Sequence, residues 1–536
     1  MFVFLLHIIF LLLLIIGGFL LYVFLNLLWH QSYWRRQGIP TPPISFLDGH
    51  FFATRSNTEP GMLVLRDWAK KYGKTYGIYE GCRTQLVTSD PHIINQVFLK
   101  NFEEFYARKG ASHSDPKNPS PRTHVLQANG PRWKRLRTIA SQAFTTANLN
   151  KIHPIIEASV MQLVEYFDKA AAKGEPIDCY IYYQELTMHV IAHLALGQSD
   201  AEMFKNPISK HLIAFFQRDQ RQWSNVIGMI SPSLGSFVKM SVLAKQKVTG
   251  IWQQQKKKGV GPLEAIDRQI ELTVKERQRQ REEDEKRGLE PGQPIDFIDL
   301  FLDAKSEDNS WEEGIDNFQR GAVSVSKRLT FDEIVAQCNV FLLAGFDTTA
   351  NSLSYATFLL TKHPEVQLKL QAEIDQECTS TVIGPETLPR MKYLDCVVKE
   401  ALRMFPLASL FSSRTCMKDT VVGDNIHLKQ GMTVAADLWS LHYSKEIYGE
   451  DAEEFKPERW LSSPPTLASA SVWIPFGFGP RQCIADSMPS AEEILVRSRT
   501  QNRGKTSTIR IRDGGAEGSS HLRESEGMII SALKIQ

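Results

Sequence analysis

The residues best suited to chemistry gather in one short stretch, Pro475–Ala485, which reads PFGFGPRQCIA. Gly477 and Gly479, with Pro480 directly after the second, suit a tight loop whose backbone approaches something flat, and Cys483 stands at its end. A cysteine so placed can receive backbone N–H hydrogen bonds and the positive end of a following helix, both of which lower a thiol pKa. The ordinary role of a lone cysteine is that of a small buried hydrophobe. That role is the weaker reading here, because Phe476, Gly479, Arg481 and Cys483 stand in the order F-x-x-G-x-R-x-C. A second group is AGFDTT, Ala344–Thr349, set inside the long helical pattern VFLLAGFDTTANSLSYATFLL. Gly weakens a helix and Thr bonds back to the i−4 carbonyl, so these residues are locally costly in mid-helix. Locally costly residues are where function is sought. Trp133 and Arg137 lie one helical turn apart in GPRWKRLRTIASQAF, and KEALRMFP puts Glu400 and Arg403 on one helix face, with Arg459 following in FKPERW. Alone, E-x-x-R is a common helical salt bridge of little weight.

Taken together in this order, the passages resemble the cytochrome P450 family of haem-thiolate monooxygenases, from the N-terminal helix to about Glu493. LPRMKYLDCVVKEALRMFP and LHYSKEIYGEDAEEFKPERWL are most similar to its animal microsomal branch, which includes xenobiotic-oxidising enzymes and thromboxane synthase. The resemblance implies a mainly α fold with small β-sheets, the cytochrome P450 fold, preceded by one N-terminal transmembrane helix. It implies heme b as cofactor, with the Cys483 thiolate as axial iron ligand, which favours O–O cleavage. Phe476 belongs to the same cysteine loop, and Trp133, Arg137 and Arg481 would hold the haem propionates. Glu400, Arg403 and Arg459 would form a structural network, while Asp347 and Thr348 would relay protons on the oxygen-binding face of the central helix.

The implied activity is insertion of one atom of O2 into an apolar organic substrate. Electrons would come from NADPH through a separate flavoprotein reductase, since the chain has no Rossmann G-x-G-x-x-G of its own, with cytochrome b5 as a further candidate partner. Substrate-facing loops would include parts of Tyr106–Thr123 and Ala201–Leu234. Two departures stand out: Ala485 where the family usually has Gly, and Pro489 inside the expected following helix, where proline costs about 3 kcal/mol outside the first turn.

The elements that must position these residues are legible in outline. Of 536 residues 43% are hydrophobic and 23% charged, which fits a large globular protein and excludes disordered and collagen-like classes. With 62 Lys+Arg against 60 Asp+Glu there is no basic excess to suggest nucleic acid. The seven cysteines are scattered without a C-x-x-C pair, against zinc clusters and disulfide frameworks. Helical spacing appears in Ile152–Lys169, Leu263–Arg287, Thr330–Leu360 and Glu365–Glu377, and strand-like runs in Lys74–Tyr79, Thr84–Thr88 and Thr420–Val422. KERQRQREEDEKR, Lys275–Arg287, reads as a solvated helix with i,i+4 pairs rather than a docking surface. Lys305–Lys327 reads as a surface loop.

The chain divides into four expected parts. Residues 2–28, FVFLLHIIFLLLLIIGGFLLYVFLNLL, carry no charge and as a helix would be roughly 40 Å long, enough to cross a bilayer. A cleaved signal peptide would have a shorter apolar core behind a basic start. Arg35 and Arg36 follow the span and predict a cytosolic domain, with Trp29, Tyr33 and Trp34 in the interfacial belt. The microsomal resemblance places this single-pass protein in the endoplasmic reticulum membrane. Residues 29–43 form the interfacial segment and a semi-rigid proline spacer, GIPTPP. Residues 44–496 form one monooxygenase domain. Residues 497–536 are polar and Gly/Ser-rich, and no Phe, Tyr or Trp follows Phe478 in a chain that is 10% aromatic, so this tail is expected to be disordered. The alternative function is a degenerate, non-catalytic relative whose haem pocket is incomplete because of that end.

Overall fold

A computed structural model describes residues 2–485, leaving out 57–58, 111–119, 174–177, 199–201, 218–220, 222–227, 231–260, 290–295, 306–317, 319, 321–326, 379–386, 408 and 462–469. The expectations for the tail, for Pro489, for most of the loop 305–327 and for parts of the two substrate-facing segments fall outside the described residues. Among the described residues the fold is mainly helical with two small sheets. The chain forms two compact units. One comprises residues 1–118, 219–259 and 410–440, the other residues 119–218, 260–409 and 441–536.

The first unit holds the sheets and begins with helix α1, Phe2–Gln31, which is long and apolar enough to cross a membrane. Most of its side chains are exposed on every face, the pattern of a helix that water does not suit. A further turn, Tyr33–Arg36, brings the chain onto the sheet. Trp29 is exposed, as an interfacial aromatic should be, with the Arg36 guanidinium 3.9 Å from its ring centroid. Trp34 departs from the expected belt and is fully buried. Its backbone N–H donates to the Tyr79 hydroxyl at 2.8 Å, and its ring lies where a Cβ at Gly77 would stand, 2.0 Å away. Only glycine leaves that space. The proline segment is likewise packed rather than standing off as a spacer: the Pro40 carbonyl accepts from Gly77 N–H at 2.8 Å.

The strands are β1 (Thr75–Glu80), β2 (Arg83–Thr88), β3 (Ser413–Thr415), β4 (Thr420–Val422), β5 (Ile426–Leu428) and β6 (Thr433–Ala436). The larger sheet has the order β1-β2-β6-β3, with β2 and β6 parallel and the other pairs antiparallel; β4 and β5 form a separate hairpin. Helix α2, Gly61–Tyr72, covers the sheet through Leu65, which joins Tyr76, Ile78 and Val87 in a core cluster.

The second unit is helical: α3 (Gly130–Ala140), α4 (Thr146–Lys173), α5 (Cys179–Leu196), α6 (Pro262–Lys286), α7 (Phe331–Lys362), α8 (Pro364–Glu377) and α9 (Lys392–Met404). Its centre is α7, started by a capping box in which Thr330 and Glu333 satisfy each other's orphan donors. Alongside it runs α5, buried on nearly all faces. The charged α6 buries only Ile266, Ile270 and Val274, a single stripe. It carries the expected i,i+4 pairs, such as Lys275–Glu271 at 2.6 Å. It is not wholly solvated, since Arg277 also binds Asp296 and Asp299 at 2.9 and 2.7 Å.

Candidate functional site

All the residues singled out for chemistry lie in the helical unit. The cysteine loop turns on Gly477 (φ +78°) and Gly479 (φ +75°), two left-handed positions that side chains rarely adopt. It is closed by hydrogen bonds from Gly477 N–H to Ile474 O and from Cys483 N–H to Phe476 O, both 2.9 Å. The Phe476 ring meets Trp473 edge-on. Of the seven cysteines, all described, Cys483 alone is exposed. Burial pushes the Cys82, Cys179, Cys396 and Cys416 thiols up to about 11, and Cys338 higher still. Chemistry that needs a thiolate therefore has one accessible sulfur.

Helix α3 and the segment before it grip this loop. The buried Arg481 guanidinium donates to Asn129 Oδ1 at 2.9 Å and to Ala128 O at 2.6 Å, and stands 5.0 Å from the Trp133 ring centroid. From α3, Arg137 donates to Gln482 O at 2.6 Å. Trp133, Arg137, Arg481 and Cys483 are thus brought together, but both guanidinium groups bind the protein's own carbonyls, so an anion arriving there would share them. Arg132 and Arg135, also on α3, bind Glu333 of α7 at 2.9 and 2.7 Å. Burial raises the Glu333 pKa, but hydrogen bonds and charge from Arg135, with Arg132, outweigh it and hold this carboxyl below its usual range.

Asp347 and Thr348 share α7 and point apart. Thr348 and Ala344, one turn earlier, are exposed in the middle of a helix whose other faces are largely buried. The Thr348 hydroxyl donates to Ala344 O at 2.7 Å. Asp347 is buried: its Oδ1 accepts from the Tyr180 hydroxyl at 2.6 Å and Gln184 Nε2 at 3.0 Å, and its Oδ2 from Asn351 Nδ2 at 3.0 Å. Burial raises its pKa, with the three hydrogen bonds opposing and not cancelling that rise. Sequence reasoning missed Tyr180 and Gln184, since α5 mixes them with Glu185, Thr187 and His189, and nothing in that spacing singles out the two that face Asp347.

The network of Glu400, Arg403 and Arg459 supports the loop. Glu400 is fully buried and receives Arg403 at 2.8 and 2.9 Å, Arg459 at 2.8 Å and Trp460 Nε1 at 2.9 Å. Arg403 reaches on to His442 O and Ala452 O, each 2.7 Å. His442, unnoticed in the sequence, accepts Ile474 N–H on Nε2 at 3.1 Å, just before the cysteine loop begins.

The residues present suit a haem on chemical grounds: one exposed thiol on a rigid loop, cations and an indole beside it, and an exposed small-residue face on the central helix. Comparison with known proteins agrees. Residues 39–492 match the family model described as Cytochrome P450. The Caenorhabditis elegans protein named "Putative cytochrome P450 CYP13A1" is 41% identical over 476 residues, 88% of this chain and 89% of its own length. Two similarly named proteins of that organism, CYP13A4 and CYP13A7, are 41% identical over 483 residues and 43% over 467, covering 89% and 86% of their lengths.

Proposed function

This chain belongs to the cytochrome P450 family, and on that premise we propose that it is a membrane-anchored monooxygenase that oxidises an apolar organic substrate. The observation that carries the reading is Cys483, the one exposed thiol, held on a loop that α3 grips through Arg137. When bound, heme b would supply the iron that activates O2, and the Cys483 thiolate would hold it. Trp133, Arg137 and Arg481 would orient it by charge-assisted hydrogen bonds from the α3 side. The Thr348 hydroxyl, now returned to Ala344 O, would hold water at the exposed face of α7. Asp347 would deliver the proton, after its carboxyl leaves Tyr180 and Gln184. Electrons would come from NADPH through a separate reductase, with cytochrome b5 as a second donor. The charge-free α1 followed by Arg35 and Arg36 supports a single-pass anchor with the rest of the chain cytosolic, and the resemblance to the microsomal branch supports the endoplasmic reticulum membrane as its place.

A second reading is favoured by composition: the end of the chain lacks aromatic residues, and a degenerate relative would retain haem poorly. One experiment separates the two. The carbon monoxide spectrum of the reduced full chain should show the red-shifted Soret band of a thiolate-ligated haem in stoichiometric amount, and Cys483→Ser should abolish it while leaving membrane association unchanged. A full chain without that band points to the degenerate relative, and a Cys483→Ser protein that keeps it excludes Cys483 as the ligand.

A further inference from the structure

In the helical unit a cavity of about 620 Å³ opens between the helix Pro207–Phe216 and the start of α6. Phe215 and Leu263 give it apolar lining. Glu264, Asp267 and Glu271 bring three carboxylates to it, at the i, i+3, i+7 spacing that shares one helix face.

The three acids are not alike. Glu271 is paired, receiving Lys275 Nζ and Arg122 Nη2 at 2.6 Å each, and Arg122 is held again by Asp332 at 2.9 Å. Asp267 has a single hydrogen-bond partner, the Asn339 amide of α7, and no ion-pair partner among the described residues. Burial holds its pKa above the usual carboxylate range, with the Asn339 hydrogen bond and then the Arg122 charge opposing and not cancelling that rise. Asn339 is only 8% exposed, and while its Nδ2 donates to Asp267, its Oδ1 has no hydrogen-bond partner among the described residues. A carboxylate without a cation, beside a buried carbonyl without a donor, matches a ligand that brings both positive charge and N–H groups. The exposed Arg268 also lines the cavity, but it follows Asp267 by one residue and so leaves the helix about 100° away.

We propose that this cavity binds an organic ammonium ion with an apolar body, whose N–H groups donate to the Asp267 carboxylate and to the Asn339 carbonyl while the body packs on Phe215 and Leu263. The apolar lining suits such an ion better than a divalent metal, which asks for about six oxygen ligands. An anion would meet three carboxylates, with Arg122 already committed to Glu271 and Asp332. Asn339 and Thr348 are nine residues apart on α7, about half a turn out of phase, so a ligand on Asp267 lies across that helix from Thr348. The cavity is thus a second site, separate from the exposed face that Ala344 and Thr348 share.

The test uses the full chain in phosphatidylcholine vesicles and equilibrium dialysis at pH 7. The probes are N-methyl-4-phenylbutylamine, protonated at that pH, its trimethylammonium analogue, which keeps the charge without an N–H, and 5-phenylpentanoate. The comparison is with Asp267→Asn, which can still accept from Asn339 but carries no charge. The methylammonium probe should bind the native chain at least about tenfold more tightly than the variant, the scale of one hydrogen bond between charged groups. The other two probes should show no such preference. Equal binding of the methylammonium probe by the two proteins overturns the site. A trimethylammonium analogue that binds the native chain as tightly as the methylammonium probe overturns recognition through N–H groups. A phenyl azide of the methylammonium probe, photolysed on the native chain, should label peptides containing Phe215 or Leu263, and labelling confined to other peptides overturns the location whether or not the variant folds.

Discussion

His442 makes the cysteine loop sensitive to acid. Its Nε2 accepts the Ile474 N–H at 3.1 Å, so the ring proton must sit on Nδ1, which faces Arg403 O at 3.2 Å. A second proton on Nε2 would break the bond to Ile474 and set a cation beside the buried Arg403. Burial first, then the Arg403 charge, hold the imidazole pKa down from 6.5 to about 3. Because the folded value lies below the unfolded one, the unfolded chain binds the extra proton first, and stability is lost as pH falls from about 6.5 towards 3. At about 1.4 kcal/mol per pH unit, the loss between pH 7 and pH 5 is about 2 kcal/mol. The perturbation is His442→Gln, which keeps a donor and an acceptor but cannot be charged. Urea unfolding of both proteins, followed by tryptophan fluorescence at pH 7 and pH 5, isolates this one group, since other titrating residues act alike in each. The native chain should lose about 2 kcal/mol more than the variant over that interval. Parallel pH dependences would refute the assignment of His442 as a neutral acceptor under the loop.

Two further outcomes follow from α7. Thr348→Ala should leave haem binding nearly intact while diverting electrons to hydrogen peroxide, read as the ratio of oxidised product to NADPH consumed in a reductase-reconstituted system. An unchanged ratio removes Thr348 from the mechanism. Tyr180→Phe deletes the shortest of the hydrogen bonds on Asp347, 2.6 Å, and should raise that carboxyl's pKa further. The protonated-acid band in the infrared spectrum, assigned by its absence in Asp347→Asn, should then persist to higher pH than in the native chain. A band with an unshifted midpoint would mean that Tyr180 does not set the charge on Asp347.

Much of the frame was legible because it is written in long, repeated signals. The helical spacing predicted over Ile152–Lys169, Leu263–Arg287, Thr330–Leu360 and Glu365–Glu377 returns as α4, α6, α7 and α8, with ends moved by a few residues. β1, β2 and β4 appear where the strand-like runs predict them, but β3, β5 and β6, as short as β4, pass unread because a period of two is a weak signal in three or four residues. The cysteine motif located the loop, and the glycines predicted its turn, yet nothing in the spacing reveals that Arg481 would grip Ala128 or that Arg137 would close on Gln482. Those contacts join segments more than 340 residues apart. Trp34 looked interfacial because its neighbours are, and it is buried because a single glycine on β1 makes room for it.

The separation of Asp347 from Thr348 changes how the proposed proton relay must work. Neighbouring residues on an α-helix point about 100° apart, and here one faces α5 while the other faces the open side. For Asp347 to serve Thr348, its carboxyl must leave three donors, two of them on α5. Hydrogen bonds to a charged group are each worth about 1.5–3 kcal/mol, against about 1 kcal/mol for a neutral one. The ionised carboxylate is therefore held firmly against α5, and the protonated acid is released far more cheaply. Burial favours that acid, since it raises the Asp347 pKa. On the proposed chemistry the side chain would swing towards Thr348 carrying its proton and be drawn back once it has given the proton up. The donors on Tyr180 and Gln184 would thus give the relay its direction, with the charge of Asp347 as the signal that resets it.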